Sequence, residues 1–185
     1  FLPPWRIDVP VRDGVSLPAS MAGLSRMTAA ALDAAGAPAP GSVGLILTDD
    51  AELTELNHVH MGKDEPTDVL SFPLLPPEAF PAHPGRAPRE TGHAAEAFPL
   101  PPGQRQHLGD IVISVERAVE QATAGLGGQT GNVRWAAMDE LRLLTVHGTL
   151  HLCGWDHAEP EEEAAMRALE TRLLAIFRGV SDVIA

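Results

Sequence analysis

Residues 147–157 read His147-Gly148-Thr149-Leu150-His151-Leu152-Cys153-Gly154-Trp155-Asp156-His157. In a helix, residues four apart share a face, so His147 and His151 present their imidazoles to one point. His157 cannot lie on that face of a continuing helix. Gly154 is placed to end the helix in a left-handed turn, which sends the chain back and brings His157 in. Three neutral nitrogen ligands without a fourth protein ligand describe an open zinc site with room for water, whereas structural sites usually close their shell with cysteine. The single cysteine, Cys153, falls about 200° around the helix from His151, where packing is its expected role. The glutamate that follows the first histidine of HExxH zinc proteases is replaced here by Gly148, so peptidase chemistry of that kind lacks its base.

Outward from this run, the chain reads as a mixture of short strands and helices. Residues 5–11 alternate weakly and read as an edge strand, with Pro10 tolerated where no ladder bond is needed. Residues 21–35 are rich in Ala, Met and Leu and stop at Gly36, as a helix would. Val43 to Thr48 reads as a buried strand, and Asp49 or Asp50 caps a helix carrying Leu53 and Leu56. Further strands are expected at 69–74 and from Asp110 to Ser114. Ser114 caps a helix to about Ala124, a glycine-rich turn precedes the histidine-bearing helix, and Pro160 opens a last helix ending near Arg178 and Gly179. The expected fold is α+β: a small mixed β-sheet of about four strands packed with about five helices, with the zinc site on a C-terminal helix and the following turn. It forms a single metallohydrolase-like domain over residues 1–185.

Between Leu75 and Gln106 lie eight prolines and too few periodic apolar positions for a packed unit, so 76–106 is expected to be a Pro-rich mobile insertion within the domain. His83, His93 and His107, in or beside it, carry no ligand spacing. Arg86, Arg89 and Arg105 read as solvated side chains, with RNA phosphate as the alternative contact.

At 185 residues and 44% hydrophobic content the chain suits one domain with a sizeable core. No apolar run reaches membrane-spanning length, so no membrane partner is expected. The start at Phe1 shows no basic stretch leading into an apolar one, and with a lone cysteine a cytoplasmic location is expected. Thirteen basic against twenty-five acidic residues give a formal charge of −12, which opposes non-specific attraction to a polyanion. Part of that charge is clustered in Glu159, Glu161, Glu162 and Glu163. No internal repeat, heptad run or glycine-rich phosphate loop is present, which removes solenoid, coiled-coil and P-loop readings.

The run HGTLHLCGWDH resembles the HGxLHLxGxDH signature of the YbeY family of metal-dependent bacterial endoribonucleases. PTDVLSFP (66–73) and LGDIVIS (108–114) are similar to the family's second and third signatures, in the same order, and the likeness spans roughly residues 43–175. It implies a zinc-dependent, single-strand-specific endoribonuclease acting in rRNA maturation, at the 16S rRNA 3′ end, and in ribosome quality control. It further implies His147, His151 and His157 as ligands of one Zn2+ per chain. Single-stranded RNA, rRNA and small ribosomal subunit components are the implied partners. Thr67, Asp68 and Ser71 would then shape a substrate pocket, although Thr67 and Asp68 read slightly better as a local turn before a strand. Asp156 reads equally as an orienting partner for a ligand imidazole or as a turn-forming aspartate. Glu140, seven residues before His147 and within about 20° of its helical face, is placed to approach the metal pocket one or two turns away, but reads better as a salt-bridged or solvated surface glutamate. One departure concerns Met61, which precedes Gly62-Lys63-Asp64 where the family usually has arginine. His58, His60 and Lys63 lie close enough in sequence to supply that positive charge, but each reads better as a solvated side chain. Two other readings stay open: a non-catalytic, zinc-stabilised ribosome-assembly factor, which Met61 and the acidic charge favour, and metal-assisted hydrolysis of a peptide or small ester, which Gly148 disfavours.

Overall fold

Period-2 alternation in two apolar strands places the centre of the molecule. In the computed structural model, which describes residues 2–85, 104–128 and 135–177, these are β2 (Gly41–Thr48) and β4 (Gln106–Ser114). Val43, Leu45 and Leu47 of β2 and Ile111 and Ile113 of β4 turn to one face, while Ile46 and Val112 turn to the other, as a pleated strand requires. With β1 (Arg6–Asp8) and β3 (Val69–Pro73) they make a four-stranded sheet in the order β1-β2-β4-β3. β1, β2 and β4 run parallel, and β3 pairs antiparallel with β4 at the sheet's edge.

Among the described residues five helices surround this sheet: α1 (Met21–Ala34), α2 (Asp50–Met61), α3 (Val115–Ala124), α4 (Ala137–Leu152) and α5 (Pro160–Phe177), the last packed on α4 and α1 rather than on the strands. α2 covers one face through Leu53 and Leu56, against Leu70, Phe72 and Val112. The opposite face carries the main core, built with α1, α4 and α5. α4 is buried nearly all round, from Leu141 to Leu152, which marks a helix enclosed by other elements rather than one lying on a surface. The α+β expectation, the mixed sheet and the five helices stand as read from the sequence.

The helix starts follow side-chain chemistry. Ser20, Asp49 and Ser114 each accept a backbone N–H three residues on, from Gly23, Glu52 and Arg117. Asp49 is therefore the cap of α2, while Asp50 receives the Ser114 hydroxyl and the Arg117 guanidinium. The edges of elements differ more from expectation. β4 begins at Gln106 rather than Asp110, because Gln106 and His107 pair with Gly41 and Ser42 of β2. β1 is three residues long, not seven; beyond it Leu47 N–H donates to Pro10 O.

Residues 76–85 of the expected insertion are packed on the domain. Pro77–Ala79 form a 3-10 turn, Phe80 is 4% exposed, and the His83 ring stacks on Trp155 at 4.1 Å between centroids. The apolar bodies of Pro, Phe and His supply contact that a count of periodic positions does not register. Gln106 lies in β4. The stretch 86–103, with Arg86, Arg89 and His93, lies outside the described residues, as do Arg178 and Gly179. Among the described residues no helix is long and apolar enough to cross a membrane.

Candidate metal centre

His147 and His151 lie one helical turn apart on α4, with their Nε2 atoms 2.9 Å from each other. The helix then stops in a paired cap: Gly154 N–H donates to His151 O and Trp155 N–H to Leu150 O, both at 3.0 Å, with Gly154 at φ +80. This is the Schellman arrangement, and a side chain at Gly154 would strain it. The reversal returns His157 to the other two rings, at centroid distances of 5.5 Å from His147 and 4.9 Å from His151. One ligand-capable atom from each histidine lies within 4.8 Å of the others.

The donor set fits a divalent ion. A tetrahedral zinc with Zn–N of about 2.0–2.1 Å holds its nitrogens about 3.3 Å apart, so small ring rotations suffice. The ligands must be neutral, and burial, then the neighbouring His147 and His157, pushes His151 down to about 4, which keeps its lone pair available at neutral pH. His147 is 5% exposed, and its Nδ1 meets Glu170 Oε1 at 2.7 Å. A carboxylate acceptor there selects the Nδ1–H tautomer and turns the Nε2 lone pair toward the cluster.

Glu170 was not singled out in the sequence, although a signal was there. It stands in the inward stripe of α5 with Met166, Leu169 and Leu173, all buried, and a carboxylate in such a stripe needs a partner. Asp156 Oδ1 accepts the His157 N–H at 2.8 Å. Cys153 is fully buried and its thiol is pushed up to about 12 by burial, so it packs rather than ligates.

Gly148 has a packing cause. A Cβ there would lie 2.6 Å from Ile111 Cγ2 and 3.0 Å from Val69 Cγ2, so its absence lets α4 approach β3 and β4. Ser71 on β3 fastens the contact, donating its hydroxyl to Gly148 O at 2.9 Å.

The three histidines open into a cleft of about 850 Å3. Thr67, Asp68 and Ser71 all line it. Thr67 also donates to Val69 O at 3.3 Å, and Asp68 Oδ2 accepts from Gln121 Nε2 of α3 at 3.1 Å. That bond ties the Asp68 carboxylate to α3. Met61 lines the wall; His58, His60 and Lys63 do not. His58 pairs with Asp64, and His60 sits edge-on to Phe72.

Glu140 differs from its surface reading. It is 2% exposed and accepts from Gly128 N–H at 2.7 Å and Trp135 Nε1–H at 2.6 Å. Burial holds its carboxyl above the usual carboxylate range. It ties down the segment whose Leu126 and Gly128 form another part of the cleft wall.

Residues 15–178 match the sequence model of Endoribonuclease YbeY. The chain belongs to the YbeY endoribonuclease family. Curated YbeY endoribonucleases are similar along most of their length. The one from Salinispora tropica is 44% identical over 150 residues, covering 80% of this chain and 82% of that one. That of Symbiobacterium thermophilum is 41% identical over 154 residues, covering 82% and 83%, and that of Chloroflexus aurantiacus 36% over 174 residues, covering 94% and 96%. In three dimensions the chain is similar to a Thermotoga maritima protein solved in solution, with a TM-score of 0.52 at 21% identity, covering 98% of this chain and 99% of that one; at that identity the likeness concerns the fold. In this YbeY-family chain the histidine cluster at the cleft is a place where a metal ion could be held.

Proposed function

We propose that this protein is a zinc-dependent, single-strand-specific endoribonuclease that matures rRNA, at the 16S rRNA 3′ end, and serves ribosome quality control in the cytoplasm, in contact with small ribosomal subunit components. The observation that carries the reading is the convergence of His147, His151 and His157 on one point of an open cleft. Those three side chains would hold one Zn2+ per chain. A zinc ion bound there supplies Lewis acidity toward a phosphoryl oxygen and lowers the pKa of a water from 15.7 to about 7.

The chain's own residues do the rest. Glu170 holds the His147 proton at Nδ1 and so fixes which nitrogen faces the cleft. Thr67, Asp68 and Ser71 form the wall contributed by β3 and the turn before it. The cleft is lined on one side by β3, the edge strand of the sheet, and a single extended strand is the substrate proposed for it.

The test compares single-stranded and double-stranded RNA cleavage by wild type and His151→Ala, with zinc measured in the same samples. Zinc near one per chain with single-strand cleavage that depends on His151 is the expected outcome. The second reading, a zinc-stabilised assembly factor without catalysis, is favoured by Met61, an uncharged residue in the cleft wall at the position where the resemblance implies arginine. RNA left intact by fully zinc-loaded wild type would replace the nuclease with that factor.

A further inference from the structure

The charges that face the cleft are unequal. Asp68, Glu163 and Glu170 line it as carboxylates, and among the described lining residues Arg167 alone carries a guanidinium or ammonium group. An RNA strand entering this cleft brings phosphates into a wall dominated by acid, on a chain of formal charge −12. Long-range attraction cannot supply the missing complementarity, so a short-range contact has to.

Arg167 is placed to make it. It lies three residues before Glu170, the partner of His147, on the same face of α5. Three residues advance a helix by about 4.5 Å, within the reach of an arginine side chain from the histidine cluster. Its Nε and Nη2 both contact a single oxygen, Glu163 Oε1, at 2.9 and 2.6 Å. Those bonds use two of the five N–H donors of a guanidinium. The pair is 40% and 44% exposed, and half-exposed pairs four residues apart on a helix contribute little. A phosphate offers Arg167 a bidentate acceptor that the single Glu163 oxygen does not.

We propose that Arg167 is a substrate-binding residue that exchanges Glu163 for an RNA phosphate beside the histidine cluster, with Glu163 acting as the competing anion when RNA is absent. The proposal rests on the endoribonuclease reading above.

Zinc-loaded wild type, Arg167→Gln, Arg167→Lys and Glu163→Gln would be compared for cleavage of a short single-stranded RNA and for its binding over a salt series. Arg167→Gln is expected to raise KM and the dissociation constant about tenfold, with kcat nearly unchanged. Its log-log salt slope should shrink by about 0.7, the loss of one phosphate contact on a single strand. Arg167→Lys should keep the slope with intermediate affinity, and Glu163→Gln should bind RNA more tightly than wild type. An active wild type whose KM and slope are unmoved in Arg167→Gln overturns this proposal alone. Equal weakening by Arg167→Gln and Glu163→Gln would also overturn it, since that marks a structural pair. A wild type that neither binds nor cleaves RNA removes the endoribonuclease reading together with this one.

Discussion

Glu170 and Gly148 act on neighbouring faces of α4, about 100° apart, one by a hydrogen bond to His147 and the other by leaving space for β3 and β4. Replacing Glu170 with Ala leaves the His147 imidazole without its orienting acceptor, and metal affinity is expected to fall about 10–100-fold. Glu170→Gln keeps an acceptor oxygen and should lose less; a competitive zinc titration against a chromophoric chelator reads both, and equal affinity in all three proteins would refute the role. Gly148→Ala sets two effects against each other. Helix propensity gains about 1 kcal/mol, while overpacking against Ile111 and Val69 costs about 1–3 kcal/mol. Both neighbours are β-branched and stiff, so net destabilisation is expected, visible as a lower urea midpoint. The histidine spacing was legible because one turn of helix and one left-handed glycine are local geometry. Glu170 was not, because its meaning depends on α5 docking against α4, between residues 23 apart in sequence.

Elements that begin with a side-chain cap were the easiest to read: Asp49 and Ser114 announce α2 and α3 by a bond three residues long. Strand ends were harder, because Gln106 and His107 join β4 only through pairing with β2, and neither residue advertises a strand. The segment before α4 shows the same limit. Glu140 reads as a surface glutamate, yet it is the buried anchor of Gly128 and Trp135. Its folded-state pKa is raised from 4.5, chiefly by burial, so the native state holds the proton more tightly than the unfolded chain. The stability this contributes is complete below about pH 4.5 and is lost as pH rises through the folded value. Relative to Glu140→Gln, wild type should therefore lose stability as pH is raised from about 4 toward neutrality. Urea midpoints of the two proteins across that range measure the difference, and a constant gap would contradict the burial argument.

At the scale of the molecule, the fold class followed from alternating strands and helices, and the family from three colinear signatures. The acidic surplus is also a whole-molecule property, and it bears on stability. A formal charge of −12 repels itself more in the folded state than in the expanded one. Shortening the Debye length from about 30 Å to about 8 Å, by going from about 0.01 M to about 0.15 M salt, should raise the melting temperature of the wild type. A falling melting temperature would mean that local ion pairs such as Arg12 with Glu52 outweigh the global term.

The segment 77–85 touches the turn that carries the third histidine at three points. Pro77 packs within 3.4 Å of where a Gly154 side chain would begin, His83 covers the Trp155 ring, and Gly85 O receives the Asp156 N–H. These contacts make His157 a reporter for residues some eighty positions earlier. Coupling of this kind runs equally in both directions: whatever loosens 77–85 weakens the grip on an ion by some factor, and an ion in the cluster must steady 77–85 by the same factor. Proline-rich sequence beside the histidine cleft thus becomes part of its thermodynamics, and a change there would register as a change in metal demand.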